Sequence, residues 1–103
     1  MGMLDTQTND GYLYSRPFIH DGCHHMVVAC PKGDGFSIVV IDICETGDVR
    51  VTPLLPDESP CNESLAHRRI EAFNEINARN GVPSSNERLT RERARAVLPT
   101  LVS

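Results

Sequence analysis

The sequence predicts an α+β fold: an antiparallel β-meander of three to four strands followed by two helices, stacked in two layers. Three observations predict it. Apolar runs with short glycine-bearing connections fill the middle of the chain, apolar spacing becomes helical after "DESP", and breakers at "NGVP" and Pro99 cut the second half in two. A chain of 103 residues suits one domain, spanning 1–103. Its expected parts are a flexible polar arm over 1–11, an antiparallel sheet over 12–55 and a helical hairpin over 59–98.

In "YLYSRPFI" the aromatics Tyr12, Tyr14 and Phe18 fall on one side of an extended chain, and Pro17, which cannot donate to a ladder, makes the stretch an edge strand or an irregular extended segment. "CHHMVVAC", "FSIVVIDIC" and "VRVTPLL" then read as three strands, joined by loops of five residues ("PKGDG") and four ("ETGD"). The second of these strands is apolar on both sides, as a central strand should be. The third alternates Val49, Val51 and Pro53 with Arg50 and Thr52, so one of its faces is wet and Pro53 again marks an edge. Pairing Cys30 with Phe36 sets His24 opposite Asp42, and pairing Cys44 with Val49 sets Asp42 opposite Val51. On that register His24, Asp42 and Cys44 are neighbours, while Cys23 and His25 point the other way. A slip of one residue would exchange the faces.

Ser59 as N-cap with Pro60 at the first helical position opens a helix whose inner side is Leu65, Ala66, Ile70, Phe73 and Ile76. Gly81 and Pro83 close it. "SSNE" supplies a capping box from Ser84 to Glu87, and the helix it starts carries Leu89, Ala96 and Val97 as a thin apolar stripe, ending near Leu98 before Pro99.

With 40% hydrophobic and 23% charged residues the composition is globular. No stretch approaches the roughly 20 apolar residues of a membrane span, and the first residues lack the build of a signal peptide, so a cytoplasmic location without a membrane partner is expected. The net charge of −4 conceals a first half with nine acidic and three basic side chains, and a remainder with seven arginines and five glutamates. That division excludes a uniformly basic nucleic-acid binder.

Three histidines and two cysteines crowd "HDGCHHMVVAC", so metal and thiol chemistry need weighing. No C-x-x-C spacing links the four cysteines, which in a reducing cytosol are expected as free, buried thiols. His20, Cys23 and His25 meet only if "HDGC" turns tightly, with Asp21 or Cys44 as a fourth ligand. Because the spacing follows no established zinc pattern, no metal or cofactor is assigned, and His20, Cys23, His25 and Cys44 stand as the nearest approach to a set. Cys44, His24 and Asp42 are the residue types of a nucleophilic triad. The sequence adds no helix N-terminus behind the thiol and no oxyanion hole, so no catalytic residue is assigned and an enzyme is not expected. "PKGDGF" lacks the following helix of a phosphate loop and reads as a turn.

Arg88, Arg91, Arg93 and Arg95 could contact phosphates, but Glu87 and Glu92 interleave with them. On the predicted register His25, Val27, Val39, Ile41, Ile43 and Leu54 occupy a sheet face away from the long helix, too apolar to leave in water, so the short helix, the N-terminal segment or another chain is expected to cover it. These observations favour a small non-enzymatic protein-interaction module, a homodimer that regulates or inhibits a larger protein partner. It would meet that partner through Arg88, Arg91, Arg93, Arg95, His25 and Ile41. Small accessory proteins of viruses and mobile elements share this size and simplicity. Two alternatives stand behind that reading. One is a zinc- or thiol-dependent protein built on His20, Cys23, His24, Asp42 and Cys44; the other is a nucleic-acid-associated regulator using the arginine-rich last helix.

Overall fold

In the computed structural model, residues 11–54 and 60–102 are described, the last four of them by backbone alone. The arm expected over 1–11 lies, but for Gly11, outside the described residues, as does Ser59. Five strands make one antiparallel sheet: β1 (Leu13–Tyr14), β2 (Phe18–His20), β3 (Cys23–Lys32), β4 (Gly35–Cys44) and β5 (Val49–Pro53). The path runs β1-β3-β4-β5, with β2 also paired to β3. Two helices follow, α1 (Glu63–Arg79) and α2 (Glu87–Val102). The predicted α+β order, a meander and then two helices, is the one observed.

Both hairpin registers differ from expectation by one residue. Gly33 and Asp34 alone form the β3–β4 turn, with Lys32 opposite Gly35. Gly33 supplies the positive φ of 58° that a two-residue turn of this kind needs at its first position. Hence Cys30 faces Ser37 rather than Phe36, and His25, not His24, faces Asp42. Across the next turn Ile43 faces Val49 and Asp42 faces Arg50. The strands extend further into "PKGDG" than apolarity suggests because Gly35 belongs to the ladder. Cys61 runs beside Phe36 as an isolated bridge, and its carbonyl oxygen lies 2.5 Å from where a Cβ on residue 35 would stand, so only glycine fits there.

The edge formed by β1 and β2 is one strand broken at residues 15–17. Buried Ser15 keeps the ladder whole across the break, its Oγ accepting the Val27 amide at 2.9 Å. The break turns the chain over. Tyr12 and Tyr14 join one core cluster, whereas Phe18 packs edge-on to Phe73 of α1, so the three aromatics do not share a side.

The helices occupy opposite faces of the sheet, which makes three layers where two were expected. Ala66 and Ile70 of α1 pack on Leu13, Val27, Ala29 and Ile38. Ala94 and Leu98 of α2 pack on Tyr14, Met26, Val28, Ile41 and Ile43. The connection explains the separation: the Ile19 amide bonds the Pro83 carbonyl and the Ser85 amide bonds the Pro17 carbonyl, so residues 83–85 run along β2 and carry the chain around the sheet edge. Ser84 is therefore a bridge partner of Phe18 rather than a cap.

Asn86 caps α2 instead, its Oδ1 taking the Leu89 amide at 2.8 Å. Asn62 likewise caps α1 through the Leu65 amide, because Cys61 is still extended beside β4. The end of α1 is as predicted. Gly81 has a φ of 72°, and amides of Gly81 and Val82 return to the carbonyls of Ala78 and Asn77. The helical backbone of α2 continues past Pro99 to Val102; a proline there forfeits a single late hydrogen bond and keeps a helical φ.

Candidate functional site

Two turns gather the histidine and cysteine side chains at one end of the sheet. Asp21 and Gly22, with φ of 52° and 78°, form a two-residue turn that sets His20 opposite Cys23. "HDGC" is thus the tight turn on which a metal set depended. Cys23 lies opposite Cys44 and is disulfide-bonded to it. The alternation of the ladder explains the bond. The Cys44 amide bonds the Asp48 carbonyl, so its backbone groups point toward the β5 side and the Cys23–Cys44 pair is a non-hydrogen-bonded one, where opposed Cα atoms come closest. Two of the four cysteines are therefore not the free thiols expected. Cys30 and Cys61 are free and buried. Burial pushes the Cys30 thiol up to about 11, against the opposing pull of the Arg95 charge.

His25 and Asp42 lie one row further in on the same face, joined through Nδ1 and a carboxylate oxygen. His20 Nδ1 stands 3.4 Å from the Asp21 carboxylate. The rings of His20 and His25 are 5.9 Å apart at their centres, and Phe73 of α1 packs 5.3 Å from the His25 ring. His24 points to the other face, 3.2 Å from Glu45. The triad of Cys44, His24 and Asp42 does not assemble: Cys44 is bonded to Cys23, and the one-residue register difference gives Asp42 to His25. In this disulfide-bonded form, no three or more His, Cys, Asp or Glu side chains among the described residues are disposed to hold a metal ion.

Three of the four arginines of α2 meet partners within the molecule. Arg95 lies over Tyr12 at 4.3 Å from the ring centre and Arg91 over Tyr14 at 5.1 Å. Arg91 also stands 3.7 Å from Glu87, and Arg88 3.6 Å from Glu92. Arg93 is exposed. The buried side of α2 is consequently Thr90, Ala94 and Leu98, while Leu89, from the predicted stripe, is 56% exposed. Ile41, expected on a partner-binding surface, is wholly buried beneath α2. The register divides the face that was to recruit a second copy: Val39, Ile41 and Ile43 pack under α2, while His25, Val27 and Leu54 lie on the α1 side, so the surface on which a homodimer was argued does not exist as one face.

What stays open is the flank by β5. Among the described residues no strand pairs with its outer edge. Bonds from the Cys44 amide to Asp48 and from the Leu54 amide to Ile38 fix the alternation, so residues 48, 50, 52 and 54 turn their backbone groups to β4. Those of Val49 and Val51 face outward. On the α1 side of this edge a groove of about 320 Å³ is lined by Val27, Leu54, Arg69, Ala72, Phe73 and Ile76. Ile76 is 54% exposed although it continues the inner stripe of α1. The edge position was readable from Pro53; the groove was not, because it depends on where α1 lies over β1, β3 and β4.

Among the described residues no helix is long and apolar enough to cross a membrane. Compared with protein-family models, with curated proteins and with solved structures, the chain matches none.

Proposed function

We propose that this chain is a small, non-enzymatic protein-interaction module that regulates or inhibits a larger protein by pairing with an extended segment of it. The observation that carries this reading is the outer edge of β5, unpaired among the described residues, beside the apolar groove. Outward amide and carbonyl groups at Val49 and Val51 supply the ladder for an added strand, and the groove takes its alternate side chains. Main-chain bonds give affinity in such pairing, and pockets give specificity. Ala72, Phe73, Ile76, Val27 and Leu54 in the groove wall favour a segment with alternating apolar residues. Closure of the other sheet face by α2 removes that face as a docking surface for a second copy. Nucleic-acid binding is the weaker reading, since Arg91 and Arg95 are stacked on tyrosines and Arg88 is beside Glu92.

Selection from a random linear peptide library tests this. Peptides with alternating apolar residues should enrich on the wild-type chain. Val49→Pro removes one outward donor from an exposed edge residue without touching a bond to β4, and Ile76→Asp places a charge at the groove. Each should weaken the selected peptides at least tenfold while leaving the fold's circular dichroism unchanged. Failure to enrich any peptide, or equal binding to both variants, overturns the proposal.

A further inference from the structure

We infer that His20, Cys23, His25 and Cys44 form a redox-gated site for a tetrahedral, thiophilic divalent cation of the zinc class, closed while the disulfide exists and opened by its reduction. The inference stands apart from the β5 edge and the groove.

All four side chains belong to one sheet face. His20, Cys23 and Cys44 make a row across β2, β3 and β4, since His20 faces Cys23 and Cys23 faces Cys44. His25 is two residues along β3 from Cys23 and so shares its side. A two-sulfur, two-imidazole set is a common zinc donor set.

The histidines carry the second observation. Metal-bound histidine usually gives its other ring nitrogen to a carboxylate, which fixes the ring. Here Asp42 holds Nδ1 of His25, and Asp21 stands by Nδ1 of His20. In both rings Nε2 is the nitrogen left over. Two imidazoles bound through Nε2 to one tetrahedral ion, with bonds of about 2.0–2.1 Å, hold their ring centres roughly 5 Å apart. The observed separation is 5.9 Å, within a side-chain adjustment of that value. The sulfurs are the missing half, because each is spent on the other.

A dithiol reductant supplies the step. It gives two electrons and two protons to the Cys23–Cys44 bond, yielding two thiols, and closes its own disulfide. The cation then forms two bonds to sulfur, releasing the two thiol protons to solvent, and two to the Nε2 atoms. One cross-link between β3 and β4 is replaced by another that also ties in β2.

The test uses the full chain, reduced with a phosphine and freed of it without oxygen, against the same chain oxidised with diamide. Each is titrated with cobalt(II) and then with zinc. The reduced protein should take up one ion per chain with thiolate-to-cobalt charge-transfer absorption, and the oxidised protein none. His20→Ala, at an exposed position that cannot unfold the chain, should weaken zinc at least tenfold. Asp42→Asn should weaken it about 10–100-fold without removing a ligand. Equal uptake by the oxidised chain overturns the inference, as does unchanged affinity in His20→Ala. Uptake that survives Cys23→Ser but vanishes with Cys30→Ser or Cys61→Ser overturns it as well.

Discussion

Opening the Cys23–Cys44 bond should destabilise this fold by an amount its position determines. The cysteines are 21 residues apart in sequence. Closing a loop of that length removes entropy from the unfolded chain worth about 3 kcal/mol at 25 °C. A chain of this size loses roughly 4–8 °C of Tm per kcal/mol, so the fall should be roughly 10–25 °C. The assay is thermal unfolding followed by circular dichroism on oxidised protein, on phosphine-reduced protein and on a Cys23→Ser, Cys44→Ser double variant. EDTA is present throughout, so that no cation can stand in for the bond. Reduced and double-variant chains should melt together, both well below the oxidised one. A fall under roughly 5 °C would refute the reasoning, because a cross-link of that loop length should then be worth far more than it delivers.

Leu98→Ala should cost about 2–5 kcal/mol in denaturant unfolding, since Leu98 is fully buried, whereas Leu89→Ala should stay within about 0.5 kcal/mol. The reverse ranking would place α2 with its other side inward. Ser15→Ala strands the buried Val27 amide and should cost about 1–3 kcal/mol in the same assay; a neutral result would mean the ladder closes without the hydroxyl. Cys30 produces an alkaline effect. Its thiol ionises near 9 when unfolded and near 11 when folded, so the folded chain holds a proton that the unfolded chain releases. The stability it lends is intact below pH 9 and is lost as pH rises through 11, at about 1.4 kcal/mol per pH unit. A Cys30→Val chain should lack that slope between pH 9 and 11, and a slope equal to wild type would show another group to be responsible.

Elements set by local chemistry were readable in advance. β3, β4 and β5 follow from apolar runs and turn glycines, and the end of α1 follows from Gly81, whose left-handed φ ordinary side chains resist. Elements set by distant partners were not. The start of α1 depends on Cys61 bridging Phe36, and the N-terminus of α2 on residues 83–85 lying along β2. The inward face of α2 was misread for a related reason. An apolar count selects Leu89, Ala96 and Val97, yet the tyrosines of the opposing sheet face accept Arg91 and Arg95, so the side that reads as charged is the one that packs.

The chemistry of the histidine end turns on a smaller matter still. With Cys30 opposite Phe36, Asp42 would orient His24, Cys44 would be a free thiol, and Cys23 would point to the far face. Moving β4 by one residue gives Asp42 to His25, closes Cys23 on Cys44 and brings His20, Cys23, His25 and Cys44 to one side. Apolarity cannot choose between these registers, because β4 is hydrophobic on both faces and buries either set of side chains equally well. The choice belongs to the turn. Gly33 and Asp34 close the hairpin in two residues, and Gly35 must lie in the ladder to let the Cys61 carbonyl approach. Gly35→Ala should therefore do more than create a local clash. A methyl group 2.5 Å from that carbonyl favours the longer loop, and the longer loop separates the cysteines. Oxidised Gly35→Ala protein should show more than two free thiols on denaturation, where wild type shows the two of Cys30 and Cys61. A count of two in the variant would show that the strands hold their register without the glycine, and that the disulfide rather than the turn selects it.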